Sequence, residues 1–513
     1  MPTLQTYNYA LKEGNLDAGI QTIAGSHDIV PIDPVEVGHD RQLLMDWHVV
    51  DDLNGCCRTV HQVDKHEDNP ILSSTYPYEA SMIFSFGTVL REPGTGLFRA
   101  WLPIFDDVMI QSKGKVPMCK RGHYYESDDG IEWRRPELGL FEHDGSKANN
   151  IFVVSYTDNL YVMRLPLRMH DRGKYAMLYC HVAVGEDARN AERGHGTHNF
   201  IAFSDDGIHF TDAPENPIWS GRTDGGNSFA YNAERDVFMM YRRATINAGE
   251  IRRIAYSESK DLITWTQPIN VIRREENDPL YLYSMHVQPY HGVYLGQLHR
   301  LHSSTDLKTR ELGNGMDDRM DTELAWSRDG VKWDRHPLKA AFIPVGVTHY
   351  ESCDWGMVRG MGNMIEMDDH IRVYYGASSH SHAGWRSPGT PRISTICMGT
   401  LRRDGFVSID AGDDGGYMIT RPLRYPGGNL RINARTGKEG FIRVAVREAS
   451  GVRDGQWPKQ WRWDQCVPFT GDSLDHEMAW GHGQSLGAFP GDGALRLHFW
   501  MENAELYSFR FEK

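Results

Sequence analysis

A two-part pattern that returns five times along the 513-residue chain constrains its fold more than any other feature. The first part of each copy is a strand–turn–strand unit, and the second is a strand that ends in a polar turn and an aromatic residue. The copies of the second part read YYESDDGIEW (124–133), IAFSDDGIHF (201–210), IAYSESKDLITW (254–265), LAWSRDGVKW (324–333) and a looser ICMGTLRRDGFVSI (396–409). All-β repeats of this size are typical of radial architectures in which each copy is one blade. The repeats therefore predict an all-β fold with a five-bladed β-propeller.

The polar turns carry their own chemistry. A glycine there tolerates a positive φ, which predicts this role for Gly130, Gly207 and Gly330. We expect the neighbouring carboxylates to form the turns rather than to catalyse; they are Asp128, Asp129, Asp205, Asp206 and Asp329. The aromatic residues that follow are expected to pack between neighbouring blades; they are Trp133, Phe210, Trp265 and Trp333.

The repeat pattern ends near residue 410. Alternating strands without the blade motif follow, which predicts an antiparallel β-sandwich over residues 411–513. Residues 71–410 would form the propeller, and residues 1–70 an N-terminal extension packing on it. Within that extension, Leu43, Leu44, Trp47 and Val50 recur at helical spacing, which predicts one short helix in residues 33–50.

Composition limits which binding partners and which cellular compartment are expected. A net charge of -14 argues against nucleic acid or an acidic membrane surface as a partner. The seven cysteines show no CxxC spacing, so free thiols in a reducing cytosol are the simplest account. The first residues lack the pattern of a secretory signal, and no apolar stretch approaches the roughly 20 residues that span a bilayer. We expect a cytoplasmic protein, with the sandwich as a contact surface for a homo-oligomer.

Blade geometry predicts where a site would form. The residues before each blade's first strand, and those after its second strand, lie on one face around the central channel, whereas the Asp-Gly turns lie on the opposite face. Acids, arginines and histidines converge on this face from five parts of the chain, which suits a polar ligand with many hydroxyl groups. The residues placed there include Glu79, Asp158, Arg164, Asp224, His286, Glu351, Asp354, Arg359, Arg243, His380 and His382.

Two carboxyl groups that face each other across a glycosidic bond can hydrolyse it, one as acid and the other as base or nucleophile. The candidate catalytic residues are Glu79, Asp224, Glu351 and Asp354, with Glu79 and Asp224 as the leading pair. For each of them, a structural ion pair is the alternative. The candidate substrate-binding residues are Asp158, Arg164, Arg243, His286, Trp355 and His380.

Histidine pairs raise the question of a metal. His195 and His198, or His380 and His382, could supply ligands, but their spacing is not that of a helix-borne zinc site. Solvated or sugar-binding histidine is the favoured interpretation, and we expect no metal ligand set. A calcium ion in the channel remains an alternative that no loop motif indicates.

These motifs resemble the five-bladed-propeller glycoside hydrolases, and above all a fructosidase-like bacterial branch of that superfamily. The matching segments are KHEDNPIL (65–72), PYE (77–79), GTVL (87–90), the YYESDDGIEW turn and LYSFRF (506–511). The similarity spans nearly the whole chain and implies a propeller followed by a sandwich, and a glycosidase acting on a small glycoside or oligosaccharide. The superfamily also includes arabinanases and mannoside phosphorylases.

The chain departs from the invertase pattern in ways that leave the reaction open. It has no WMNDPNG-type nucleophile motif and no RDP triplet, and its ESCDW segment (351–355) falls in the fifth blade. Alternatives to hydrolysis are therefore phosphorolysis, in which Arg and His clusters hold phosphate, and carbohydrate binding without turnover.

Overall fold

The computed structural model describes residues 33–79, 82–105, 120–155, 157–182, 197–220, 225–246, 251–303, 318–348, 351–382, 393–449, 459–489 and 493–513. These residues are almost entirely β-structure, and no α-helix occurs among them. The chain divides into two compact units, one of Val60–Val407 and one of Met1–Thr59 with Ser408–Lys513. Short 3-10 turns occur at Pro77–Glu79, Leu167–Met169, Lys459–Trp461, Gly481–Gly483 and Leu486–Ala488.

Antiparallel pairing groups the strands of the unit Val60–Val407 into five consecutive sets. The first, fourth and fifth sets belong to one 14-stranded sheet, which the parallel pairs Met320–Met357 and Ser394–Met82 join. The first set contains Met82–Ile83, Thr88–Arg91, Phe98–Phe105, Lys120–Ser127 and Ile151–Ser155. The second contains Thr157–Arg164, Tyr175–Val182, Thr197–Ser204 and Thr211–Asp212. The third contains Ser228–Asn232, Val237–Ile246, Ile251–Ser259 and Ile269–Asn270. The fourth contains Tyr281–Tyr290, Val293–His302, Arg319–Ser327 and Asp334–Arg335. The fifth contains Met357–Gly360, Ile365–Glu366, His370–Ser378, Ser394–Arg402 and, from far upstream, Asp64–Lys65.

Contacts at the first strands join these sets in chain order. The hydrogen bonds are Leu160 N–H to Phe86 O at 2.7 Å, Asn227 N–H to Asn159 Oδ1 at 3.0 Å, Ser228 Oγ to Met285 O at 3.0 Å, and Gly362 N–H to His286 Nδ1 at 3.0 Å. The fifth set then returns to the first, because Cζ of Arg359 lies 4.3 Å from the ring centroid of Phe84. The contacts between the sets therefore form a closed cycle.

The polar turns take part in the same cycle. Tyr241 OH donates to Gly330 O of the next set at 2.7 Å, and Tyr374 OH of the fifth set donates to Gly130 O of the first at 2.8 Å. The expected positive φ is confirmed at the three turn glycines, Gly130 at 77°, Gly207 at 76° and Gly330 at 76°. A residue with a Cβ atom would be strained there.

Most of the turn carboxylates and aromatic residues have the structural roles that their pattern predicts. Asp129 Oδ1 accepts the backbone N–H groups of residues 131 and 132, and Asp206 and Asp329 repeat this arrangement. Asp128 instead pairs with Arg134. Packing across neighbouring sets is confirmed by three ring pairs, Trp133–Tyr374 at 6.1 Å, Phe210–Phe152 at 5.9 Å and Trp333–Tyr241 at 5.6 Å. Trp265 stacks on Phe229 of its own set at 5.7 Å.

The other unit contains a ten-stranded sheet, the separate two-stranded sheet of Ala479–Trp480 with Gln484–Ser485, and an apolar core. Its strands are Val35–Glu36, Gln42–Leu43, Val50–Asn54, Cys56–Val60, Val407–Ala411, Gly416–Thr420, Leu423–Arg424, Asn429–Glu448, Asp472–Glu477, Ala479–Trp480, Gln484–Ser485 and Ala494–Glu512. The two long strands Asn429–Glu448 and Ala494–Glu512 pair along most of their length, with register shifts at 433/434 and 436/441. A β-sandwich over residues 411–513 stays a prediction.

One expectation for the N-terminal region is wrong. No helix forms in residues 33–50, and the strands there pair with the C-terminal sheet: Val35 with Leu423, Leu43 with Ser508. The packing of residues 1–70 on a propeller stays a prediction. Farther along, residues 64–65 pair with the fifth strand set. The physical reason is that these short segments satisfy their backbone groups on strands hundreds of residues away, which no local periodicity reveals.

Candidate functional site

Tyr283 lies at the centre of a cluster of charged side chains inside the unit Val60–Val407. It is the extra residue of a β-bulge, because the register with the neighbouring strand shifts between Leu282 and Ser284. Bulges re-aim a side chain and occur often beside active sites. Tyr283 is buried, and the ring of Phe86 stacks on it at 6.4 Å, within an apolar cluster of the first, fourth and fifth strand sets.

Three arginines surround this tyrosine. Cζ of Arg243 and Cζ of Arg252, both from the third strand set, lie 4.6 Å from the Tyr283 ring centroid. Arg359 arrives from the fifth set, with its Cζ 5.2 Å from the ring of Phe86. Residues from four of the five strand sets thus meet around one phenol. We call Tyr283 with Arg243, Arg252 and Arg359 the arginine cluster.

The arginine cluster changes the acidity of its members. Burial by itself would raise the pKa of Tyr283, but the positive charges of Arg243, Arg252 and Arg359 outweigh it and lower that pKa to about 8. The pKa values of Arg243 and Arg359 are both lowered to about 10, mainly by burial, and the charge of Arg252 contributes to the lowering at Arg243. Cations crowded in a buried space repel one another, so an anion bound among them would stabilise the cluster.

A histidine and an aspartate extend the cluster on one side. Nε2 of His382 lies 3.3 Å from the Tyr283 hydroxyl, and Nδ1 of His382 lies 4.0 Å from Oδ2 of Asp318. The backbone N–H of His382 donates to the Asp318 carbonyl at 3.0 Å, which holds the two loops together. The order acid, imidazole, hydroxyl is that of an activated nucleophile, with spacings that are often loose when no substrate is bound.

Buried amides and a thiol lie beneath Arg243. Oδ1 of Asn227 accepts the Arg243 backbone N–H at 3.2 Å, and Nδ2 of Asn227 donates to Sγ of Cys180 at 3.0 Å. Cys180 in turn donates to Oδ1 of Asn199 at 3.1 Å. These connected hydrogen bonds fix the strand that presents Arg243. The six cysteines among the described residues are free thiols.

Glu79, the leading candidate acid, is held in a buried ion pair. Its Oε1 accepts from Arg135 Nε at 2.6 Å and from Tyr125 OH at 2.9 Å, while Oε2 accepts the backbone N–H groups of Thr75 and Tyr76. Burial would raise the pKa of Glu79, but the hydrogen bonds from Arg135 and Thr75 hold it below the usual value. This arrangement fits the structural alternative, because a general acid needs a raised pKa.

Asp354 and Glu351 have different surroundings. Asp354 is buried and its Oδ2 accepts from Lys65 Nζ at 2.5 Å, while Ser352 Oγ donates to its other oxygen. Glu351 is exposed. Asp224 lies outside the described residues, and so does the side chain of Asp158. Among the described residues, the structure therefore shows no catalytic pair formed by the candidate acids.

The candidate substrate-binding residues also differ in their surroundings. Arg243 belongs to the arginine cluster, whereas Arg164 at the far end of its strand pairs with Glu92 at 2.6 Å. His286 accepts the Gly362 N–H and is neutral, because burial lowers its pKa to about 4. Trp355 and His380 are buried at 2% exposure each, and Nδ1 of His380 lies 3.1 Å from the carbonyl oxygen of Ser381.

Sequence reasoning placed Arg359 and His382 on the right face but did not select them, and it missed Tyr283, Arg252 and Asp318. In the sequence, Tyr283 is one of several tyrosines in an alternating strand, and the bulge that turns it into the cluster leaves no local mark. Of the two histidine pairs, His195 lies outside the described residues. A calcium ion in the channel stays an alternative.

Several solved structures are similar to this chain. An N-acetylgalactosamine deacetylase from F. plautii, in complex with blood group B trisaccharide, has a TM-score of 0.46 and 16% identity, and the match covers 67% of this chain and 96% of that one. A β-1,2-mannobiose phosphorylase from Listeria innocua has a TM-score of 0.46 and 11% identity, covering 67% and 97%. A GH32 β-fructofuranosidase from Bombyx mori has a TM-score of 0.37 and 12% identity, covering 84% and 94%.

At such identities and TM-scores, the similarity assigns no substrate and no reaction to this chain. No protein-family model matches the sequence, and no curated protein matches it. Among the described residues, no helix has the length and apolar character to cross a membrane.

Proposed function

We propose that this protein is a carbohydrate-active enzyme, a glycosidase with a five-bladed β-propeller, whose substrate carries an anionic group. The closed cycle of contacts among five strand sets supports the propeller, because a radial arrangement joins the last blade to the first. The polar residues that converge near the first strands support a ligand rich in hydroxyl groups. The single observation that carries the anionic substrate is the arginine cluster.

A carboxylate suits the cluster for reasons of charge and shape. Guanidinium groups bind carboxylates and phosphates through paired hydrogen bonds. Three of them in a buried, apolar setting interact with an anion more strongly than they would in water. The anionic group would therefore select the substrate and hold its sugar ring beside the Tyr283 hydroxyl.

Hydrolysis needs a group that attacks the anomeric carbon and an acid that protonates the leaving oxygen. In our proposal Oη of Tyr283 forms the bond to the anomeric carbon, and Nε2 of His382 accepts the phenol proton. Asp318 stabilises the imidazolium that results. The glycosidic C–O bond breaks as the sugar–tyrosine bond forms, and the leaving oxygen takes its proton from the acid. Water then attacks the anomeric carbon and gives a proton back to that acid, the sugar–tyrosine bond breaks, and the imidazolium returns its proton to the Tyr283 oxygen. Asp224, one of the leading pair of candidate carboxylates, is the proposed acid, since it precedes the first strand of the third set in the sequence.

Phosphorolysis is the second candidate, because the same arginines would hold inorganic phosphate. In that case the anion would be the attacking group and the glycoside could be neutral. Binding without turnover is the third, and it predicts that Tyr283 contributes to affinity alone.

One experiment separates these functions. The purified protein is incubated with matched glycosides that carry or lack a uronic-acid carboxylate, with and without phosphate, and with the Tyr283→Phe variant as control. We expect free sugar from the carboxylate-bearing glycosides only, and none with the variant. A sugar 1-phosphate would assign phosphorolysis instead. Equal cleavage of neutral glycosides without phosphate would refute the anion-binding role.

A further inference from the structure

The C-terminal unit contains a concave surface that shares no residue with the arginine cluster. It encloses about 750 Å³, within the range of small-molecule sites. Its lining residues are Phe441, Arg443, Arg462, Trp463, Asp464 and Trp500. We call it the tryptophan pocket.

Three aromatic rings form its wall. Trp500 lies between the others, 6.0 Å from Trp463 and 5.9 Å from Phe441 by ring centroids. The interplanar angles are 67° and 71°, so the rings form a corner rather than a flat stack. Trp500 is 43% exposed, although it lies on a central strand of a large sheet. An exposed indole face in a concavity is a feature of binding sites more than of ordinary surface.

Hydrogen bonds hold this wall in place. The indole Nε1 of Trp463 donates to the His498 carbonyl at 3.0 Å. Arg443, the cross-strand partner of Trp500, donates to the carbonyls of Trp463 at 3.1 Å and Cys466 at 3.3 Å. The corner is therefore arranged before any ligand arrives, which lowers the entropic cost of binding.

Charged groups complete the rim. Arg462 and Asp464 are both exposed, with Nε of the first 3.6 Å from Oδ1 of the second. Together they offer hydrogen-bond donors and acceptors next to the rings. A sugar presents C–H faces, which carry partial positive charge and favour the negative face of an indole, and hydroxyl edges that suit such a rim. Nucleic acid is a poorer match, given the net charge of -14.

A second concavity extends the surface. It encloses about 590 Å³ and shares Phe441 and Arg443 with the tryptophan pocket. The two together offer room for more than one sugar ring in a row. We propose that the tryptophan pocket binds a carbohydrate chain, as a site separate from the arginine cluster and independent of its catalysis.

The test compares two tryptophans of the same unit. Trp500→Ala removes the centre of the wall, and Trp47→Ala is the matched control, because Trp47 is 56% exposed and packs on Arg58 outside the pocket. Both changes are made in the full chain with Tyr283→Phe, so that turnover cannot consume the ligand. Binding to soluble xylan, arabinan, pectin and levan is measured by affinity electrophoresis and calorimetry.

We expect at least one of these polysaccharides to bind, with affinity lost about tenfold or more in Trp500→Ala and kept in Trp47→Ala, which corresponds to about 1.4 kcal/mol. Equal melting temperatures would show that both variants are folded. If Trp500→Ala does not fold, Arg462→Ala serves as a second variant on the rim of the pocket. Equal binding by pocket variants and control, or no binding to any polysaccharide, would overturn the proposal. So would sedimentation showing that Trp500→Ala converts a dimer to a monomer. Failure of the glycosidase assay leaves these outcomes unchanged, so the two proposals fail separately.

Discussion

The hydroxyl of Tyr283 and Nε2 of His382 lie 3.3 Å apart, although 99 positions separate the two residues in the chain. Three arginines lower the pKa of this phenol to about 8. A phenol of lowered pKa gives up its proton to a neighbouring base at a smaller cost. The pair is therefore the part of the site best suited to move a proton.

The pH dependence of turnover should report Tyr283. Its pKa is lowered to about 8, so the phenolate forms as the pH rises through that value. Attack on the anomeric carbon requires the Tyr283 phenol to lose its proton, so kcat/KM should increase with pH and level off above about 8. The measurement is kcat/KM on a carboxylate-bearing glycoside across pH 5 to 10.

Tyr283→Phe is the control for that profile. It keeps the ring beside Phe86 and removes the hydroxyl, and it should lower kcat by about 100-fold or more without changing the melting temperature. A profile that keeps its alkaline limb in Tyr283→Phe would assign the titration to another group.

Arg252→Met should shift the same profile to higher pH. The charge of Arg252 lowers the pKa of Tyr283, so its removal should raise that pKa above about 8. Binding of an anionic substrate should weaken about tenfold, because one charged hydrogen-bond donor is lost. Arg164→Met is the matched control, since Arg164 pairs with Glu92 elsewhere. A profile that moved to lower pH would contradict the electrostatic account of the arginine cluster.

Glu79→Gln should affect stability more than activity. The change leaves Arg135 without its buried partner, which should cost about 3 kcal/mol of unfolding free energy. The substrate affinity of the folded variant should be that of the wild type. Denaturant unfolding at pH 7, together with KM and kcat, gives both numbers; a large loss of kcat in a fully stable variant would restore Glu79 as a catalytic acid.

The Glu79 ion pair should also make stability depend on pH. The folded-state pKa lies below the usual carboxyl value, so the pair stabilises the protein above that usual value. This stabilisation should be lost as the pH falls through the folded-state pKa. The difference in unfolding free energy between wild type and Glu79→Gln, measured from pH 7 down to pH 3, should therefore become smaller as the pH falls. Parallel curves would assign the ion pair no pH-dependent role.

Lys65→Met should weaken the pairing of the strand Asp64–Lys65 with the rest of the fifth strand set. Lys65 lies on the short strand Asp64–Lys65 that pairs with residues 399–400, and its Nζ contacts the buried Asp354. The variant leaves that carboxylate without its cation, so we expect a lower melting temperature. Hydrogen exchange of residues 394–402 should accelerate. Unchanged exchange there would show that the backbone pairing alone holds the strand.

The sequence by itself determined the β-structure, the five repeats and the turn chemistry. Positive φ at Gly130 and the hydrogen bonds of Asp129 depend on residues a few positions apart, so a local pattern predicts them. The face on which Arg243, Arg359 and His382 meet also followed from strand order. Only the tertiary structure decided which side chains contact one another. Glu79 became an ion-pair partner because Arg135 folds onto it, and Tyr283 entered the cluster through a bulge whose register depends on a neighbouring strand. The strands of residues 35–54 joined a distant sheet for the same reason, since strand pairing is set by partners far away in the chain.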